Sequence, residues 1–249
     1  MRLNYNRIAY EELDVCNAVD LATVEATLRL TGLNAGRALD VGCGNAGVSV
    51  MLAERFGLEV TAVEYDPAMA TLAASRIQES SVSNRLDLVV GPSGPVLSRG
   101  GDWDLIVAMG TTDPLGYGER EPGVIIRGLG DRLKRGGWLL WGDMVWLTEP
   151  PAPLRQIIEL SGLYLDHAGW QASAASAGLE VVSATLSSQD TWDRYAEAMD
   201  TAVRAWLSDN PDHADAPAIR ARADQVSMMM DFGRGVMGFG LYLLRRPLP

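Results

Sequence analysis

Gly42, Gly44 and Gly47 crowd into six positions directly after the apolar run 37–41, and Asp40 stands two residues ahead of the first glycine. A strand that ends in glycines and passes into a helix presents backbone N–H groups to an anionic part of a ligand. Gly42 and Gly44 permit positive φ or a close approach that a Cβ would block. Their spacing with Gly47 also fits G-x-G-x-x-G, so a dinucleotide pyrophosphate is one candidate occupant. Asp40 argues for a different one. A carboxylate there repels a pyrophosphate and suits a ligand with an ammonium or sulfonium charge. Glu64 follows Gly44 by 20 residues, at the end of the next β-branched run, where a carboxylate accepts from both hydroxyls of a ribose.

These residues need a scaffold, and from residue 37 strand-like and helix-like segments alternate. Residues 37–42, 58–64, 86–90, 102–110 and 138–146 read as strands. Residues 47–57 form a helix closed by Gly57, and 67–79 a helix with Asp66 as N-cap and Pro67 at the first position. The second half of 119–135 is helical, ending at Gly136 and Gly137. Such alternation implies right-handed crossovers and a doubly wound, mostly parallel α/β sheet of seven strands. Ligands on such sheets lie beyond the carboxyl ends of the strands. Those ends, at 42–47, 64–66, 91–94, 110–113 and 143–146, are rich in glycine, acid and hydroxyl groups.

After residue 146 the alternation is interrupted. EPPAP leads into a helix at 153–161, 166–178 is a helix capped by Asp166 and stopped by Gly178, and 179–186 is a strand. Two helices at 190–209 and 214–231 precede a final strand at 236–244. The expected organisation is one domain over 1–249. It comprises an N-terminal helical segment (1–36), a cofactor-binding core (37–146) and helical cover elements (147–178 and 188–232) that bind substrate.

The chain's 249 residues, 47% of them hydrophobic, suffice for one substantial core. With 32 acidic and 21 basic residues the net charge is −11, which argues against non-specific attraction to nucleic acid or anionic membranes. Two cysteines, Cys16 and Cys43, imply no disulfide framework, and no metal-ligand spacing is present. The start lacks a secretory pattern, and the longest apolar stretches fall short of the ~20 residues of a membrane helix. A soluble, cytoplasmic protein is expected, without metal, and with a homodimer allowed.

A positive charge, an amino-acid tail and a ribose together describe S-adenosylmethionine. The segments ALDVGCGNAG and VTAVEYDPAMATLAASRI resemble the class I S-adenosylmethionine-dependent methyltransferases over residues 37–146. The shared pattern comprises Asp40, Gly42, Cys43 and Gly44, then Glu64, Asp66 and Pro67, then Asp104, Leu105 and Ile106. The resemblance implies that Gly42 and Gly44 face the methionine part and Asp40 orients it, that Glu64 holds the ribose, and that Tyr65 and Met69 lie beside the adenine, with Cys43 and Met109 also binding the cofactor. Ser93 stands in for the acid that the family usually places after the third strand. Ala46 stands where the family has glycine, and its methyl is tolerable unless the position needs positive φ. WGDMVWLTEPP and the Trp-Asp-Arg-Tyr segment at 192–195 resemble a small-molecule subgroup whose late helices cover the substrate.

Cys43 reads as a small side chain packed under the ligand, with no basic partner in sequence to make it a nucleophile. Tyr5, Tyr10, Trp146, Trp170 and Trp192 lie outside the central alternation and are candidates to line the substrate pocket. Methyl transfer asks the protein mainly for alignment and exclusion of water. If the acceptor must lose a proton, Asp113, Asp143 and His167 are the candidate bases, Asp113 first. Turn initiation before Pro114 explains Asp113 equally well. The favoured function is methyl transfer to a small-molecule acceptor. A macromolecular methyltransferase stands second, and a nicotinamide-dependent oxidoreductase, weakened by Asp40, third. A non-catalytic cofactor-binding protein fits the same residues.

Overall fold

A computed structural model describes residues 3–99 and 102–248. Its strands are β1 (Arg37–Val41), β2 (Glu59–Glu64), β3 (Leu86–Val90), β4 (Trp103–Met109), β5 (Leu133–Trp146), β6 (Leu165–Asp166), β7 (Glu180–Leu186) and β8 (Met237–Arg245). Among the described residues they form one sheet in the order β3-β2-β1-β4-β5-β8-β7, with β6 pairing the end of β5. β1 to β5 run parallel, and β8 runs antiparallel between β5 and β7. The sheet thus has eight strands rather than seven. The addition is the two-residue β6, too short to leave a period-2 signal in sequence.

Helices α1 (Tyr5–Ala9) and α2 (Leu21–Arg29) precede the alternating core. Within it lie α3 (Gly47–Phe56), α4 (Pro67–Glu79), α5 (Gly94–Ser98) and α6 (Pro122–Gly130). α7 (Ala152–Ile158), α8 (His167–Ser176), α9 (Gln189–Asp209) and α10 (Ala216–Gly233) follow. Local chemistry sets several boundaries. Asp66 Oδ1 accepts from Ala68 N at 2.9 Å to cap α4, and Gly57 closes α3 with φ 64°. β5 begins five residues earlier than the expected 138, and α6 ends before Gly136. Pairing jumps from Leu133 opposite Trp103 to Trp138 opposite Leu105, and Gly136 takes φ +78° within the extra residues. A glycine that permits a bulge reads in sequence like a helix stop.

Alternation along the central strands sends neighbours to opposite faces. Leu105, Val107, Trp138 and Leu140 pack under α3, α9 and α10, while Ile106, Ala108, Leu139 and Trp141 pack under α6 and α8. Each fully buried aliphatic side chain contributes about 1.5–3 kcal/mol, and both faces of β4 and β5 are covered. α9 packs on α10, and α1 on both, which places three helices on one side above the carboxyl ends of β1, β2 and β4. Among the described residues no helix is long and apolar enough to cross a membrane.

Candidate active site

A cavity of about 950 Å³ opens at those carboxyl ends. Its floor is the connection from β1 to α3. Gly42 N and Cys43 N both donate to Val63 O at 2.9 Å, folding the connection over the end of β2. Gly42 (φ 72°) and Gly44 (φ 58°) are left-handed, a conformation glycine adopts without a Cβ penalty. A Cβ on Gly42 would meet Thr111 Oγ1 at 2.5 Å, and one on Gly44 would meet Cys16 Sγ at 2.9 Å. Bareness here therefore serves the chain's own packing as well as a ligand. Ala46 takes φ 61° and is fully buried. The position does need the left-handed conformation, at a cost of about 1–2 kcal/mol for an L-residue.

Two carboxylates face this floor. Asp40 is 3% exposed and accepts from Ser49 Oγ at 2.6 Å. Burial pushes its carboxyl up to about 6 against the Ser49 hydrogen bond, and the Glu64 charge adds to the rise. Glu64 accepts from Gly44 N through Oε2 and from Asp66 N through Oε1, both at 2.8 Å. Burial raises its pKa too, and those amides pull it back. A hydroxyl and two amides, rather than a cation, partner these acids. Such a pair favours a positively charged ligand and disfavours a pyrophosphate.

The roof comes from elsewhere in the chain. Buried Asn45 donates to Tyr10 O at 2.9 Å and Leu13 O at 2.5 Å, while its own oxygen accepts from Gly47 N at 3.0 Å. Arg76 on α4 donates to Leu13 O at 3.0 Å, and Asn17 donates to Met109 O at 3.2 Å. Residues 10–17 are thereby drawn across the floor from Gly47 to Gly110. From α9, the Tyr195 hydroxyl lies 3.2 Å from Cys16 O and 3.3 Å from the Tyr10 hydroxyl and shares its one proton between them. Burial raises both tyrosines, and it pushes the Cys16 thiol up to about 12.

All nine residues expected around a cofactor line this cavity: Asp40, Gly42, Cys43, Gly44, Glu64, Tyr65, Met69, Ser93 and Met109. Burial holds the Cys43 thiol well above its usual value, so it is protonated. Ser93 Oγ donates to Pro114 O at 2.8 Å, which ties the end of β3 to the 113–118 turn. The catalytic candidates separate. Asp113 lines the cavity, but Oδ1 accepts from Gly116 N and Tyr117 N and Oδ2 from Gly118 N, at 2.9, 3.2 and 3.1 Å. Three amides make it the anchor of its turn, with both carboxylate oxygens already engaged. Asp143 lies in a neighbouring space of about 40 Å³ behind Thr111 and Thr112, where burial pushes its carboxyl up to about 7. His167 Nδ1 is 3.1 Å from the Tyr242 hydroxyl, and His167 is not part of the cavity wall.

Of the five aromatic candidates only Tyr10 lines the main cavity. Tyr5 and Trp192 border a separate pocket of about 260 Å³ between α1, α9 and α10. Trp146 is buried in the core with the Arg155 guanidinium 5.6 Å from its ring. Trp170 packs at a tilt of 50° on Trp141, ring centres 5.4 Å apart, and donates to Met144 O. Large aromatics that fall outside a strand pattern filled gaps between layers instead. Cys16, Asn17, Thr111, Tyr195 and Arg222 line the cavity and were not among the site residues expected from sequence. Thr111, directly after β4, was detectable by the strand-end rule. The other four carry no local signal.

Residues 38–137 match a family model described as a methyltransferase domain. A methyltransferase dependent on S-adenosylmethionine from Geobacter sulfurreducens, solved with S-adenosylhomocysteine, is 26% identical, with 96% of each chain covered and a TM-score of 0.81. One from Thiobacillus denitrificans, also solved with S-adenosylhomocysteine, shares the fold at 24% identity, 96% coverage of each chain and a TM-score of 0.80. "Uncharacterized protein YjhP" of Escherichia coli (strain K12) is 26% identical over 216 residues, 84% of each chain. Residues 38–137 thus carry a methyltransferase domain, and the chain has the fold of methyltransferases dependent on S-adenosylmethionine.

Proposed function

We propose that the chain methylates a small organic acceptor bound between the glycine-rich floor and the roof of residues 10–17, Tyr195 and Arg222. The observation that carries this reading is the roof itself. Side-chain hydrogen bonds draw it across the strand ends, and the cavity volume of about 950 Å³ falls in the range of about 300–1,000 Å³ usual for small-ligand sites. A cavity roofed in this way favours a small acceptor over a folded macromolecule.

In this reading S-adenosylmethionine, when bound, supplies a methyl group on a sulfonium with a neutral thioether as leaving group. Asp40 orients the amino-acid portion, Glu64 holds the ribose hydroxyls, and Tyr65 and Met69 border the adenine. Gly42 and Gly44 keep the floor low. The roof excludes water and aligns the acceptor, and such positioning lowers a barrier by roughly 7–11 kcal/mol. No dedicated base belongs to this scheme. Asp113 is held by its turn, and Asp143 and His167 sit outside the main cavity. The acceptor docks with its nucleophilic atom already deprotonated, the proton having gone to solvent beforehand.

The full chain incubated with S-adenosylmethionine carrying an isotopically labelled methyl group should label the small-molecule fraction of a cell extract. Label confined to protein or nucleic acid would overturn the acceptor class and leave the cofactor reading intact.

A further inference from the structure

The cavity is electrically lopsided. Its floor carries Asp40 and Glu64, while Arg222, from α10, is the one basic side chain in its wall among the described residues. Arg222 makes no ion pair among the described residues, and its Nη1 donates at 2.8 Å to the neutral Gln225. The residues around it are donors as well. Tyr195 donates toward Tyr10, which leaves the Tyr10 proton for a ligand, and Asn6 borders the same space. The Arg222 charge also acts on Tyr10 and Tyr5, favouring their ionised forms against the burial that raises both. Two other arginines on these helices are matched, Arg204 with Asp200 and Asp224 and Arg234 with Asp193. An unpaired guanidinium beside hydroxyl donors is a receptor for a carboxylate, which it can take in a bidentate manner.

We infer that the acceptor is a small carboxylate-bearing molecule whose carboxylate docks on Arg222 and the Tyr10 hydroxyl, with its nucleophilic atom directed at the floor. The two ends of the cavity then select opposite charges. A cationic nucleoside takes the acidic floor, and an anionic acceptor takes Arg222 on a roof that also carries Asp14. This inference rests on the proposed methyl transfer to a small molecule.

The test uses the full chain saturated with S-adenosylhomocysteine and ligand-detected NMR. The probes are a set of amino, hydroxy and thiol carboxylates, each paired with its methyl ester. Carboxylates should bind about tenfold better than their esters, as expected for a charge-assisted pair. Arg222→Gln should erase that preference, and Arg222→Lys should retain part of it. Esters binding as well as acids, or no carboxylate binding at all, would overturn the inference. So would a weakened S-adenosylhomocysteine titration in Arg222→Gln, because it would assign Arg222 to the cofactor's own carboxylate. Failure of the unsubstituted chain to bind S-adenosylhomocysteine is a separate result, and it removes the cofactor reading on which both proposals stand.

Discussion

The floor and the roof of the cavity are made in different ways. The floor is a row of strand ends, fixed by the main-chain ladders of β1, β2, β3 and β4. The roof is brought from residues 6–17, 195 and 222, which meet only in the folded chain. It is fastened by a few side-chain hydrogen bonds, chiefly from Asn45, Arg76, Asn17 and Tyr195. Such bonds contribute roughly 0.5–1.5 kcal/mol each, whereas opening the floor would break the sheet. A rigid floor suits a cofactor common to many enzymes, and a lightly fastened roof suits an acceptor that must enter and leave.

The sharpest way to break this contrast is at Glu64. Glu64→Ala removes the acceptor of the Gly44 and Asp66 amides and the expected partner of the ribose. Hydrogen bonds to charged groups are worth about 1.5–3 kcal/mol, so S-adenosylhomocysteine should bind about 100-fold more weakly in calorimetry. A loss under about threefold would mean that the roof, not the floor, holds the cofactor.

Acidity offers a second test, somewhat smaller, on Asp40. Its carboxyl lies at about 6 in the free fold because of burial, against an ordinary 3.8. Between those values the folded chain binds more protons than the unfolded chain, so this group's contribution to stability is largest below about 4. It declines as pH rises toward 6, and it is level above. A cationic ligand reverses the balance, because it needs the ionised carboxylate. Affinity for S-adenosylmethionine should therefore fall up to about tenfold per pH unit below 6. Calorimetry between pH 7 and 5 in the parent and Asp40→Asn checks this, and equal pH slopes in the two would exclude Asp40.

The same contrast explains how much was legible in the sequence. The floor's residues follow strands with clear patterning, so Asp40, Gly42, Gly44 and Glu64 could be read from spacing alone. The mostly parallel sheet and several helix ends followed from alternation, Asp66 with Pro67, and Gly57. The roof could not be read. Tyr195 lies on a helical stripe that resembles ordinary packing, and Arg222 on an exposed helix turn. Nothing local says that α1, α9 and α10 converge. Indole rings were poor guides for a related reason: Trp146, Trp170 and Trp192 bury large apolar surface wherever layers meet. Asp113 fits its turn and a base equally well in sequence, and only the three amide contacts separate those roles.

Fastening of the roof is open to direct measurement. Tyr195→Phe removes the bond to Cys16 O and the contact with Tyr10 while keeping the ring in place. Unfolding free energy should drop by about 1 kcal/mol, and limited proteolysis within residues 10–17 should quicken. S-adenosylhomocysteine affinity should change less than threefold, unlike the response to Glu64→Ala. A comparable loss in both would erase the distinction between floor and roof.

The smallest effect is expected where floor geometry and side chain disagree. Ala46 pays about 1–2 kcal/mol for its left-handed backbone, and Ala46→Gly relieves that. The substitution also loosens the unfolded chain by about 0.4–1 kcal/mol and removes one buried methyl, about 0.8 kcal/mol. These contributions nearly cancel, so chemical denaturation should place Ala46→Gly within about 1 kcal/mol of the parent. Ala46→Val keeps the burial but puts a β-branched residue at positive φ, which is seldom accessible, and it should lose clearly more. If Val were tolerated as well as Gly, φ at this position would not be what constrains it. The rigidity ascribed to the floor would then have to come from the sheet alone.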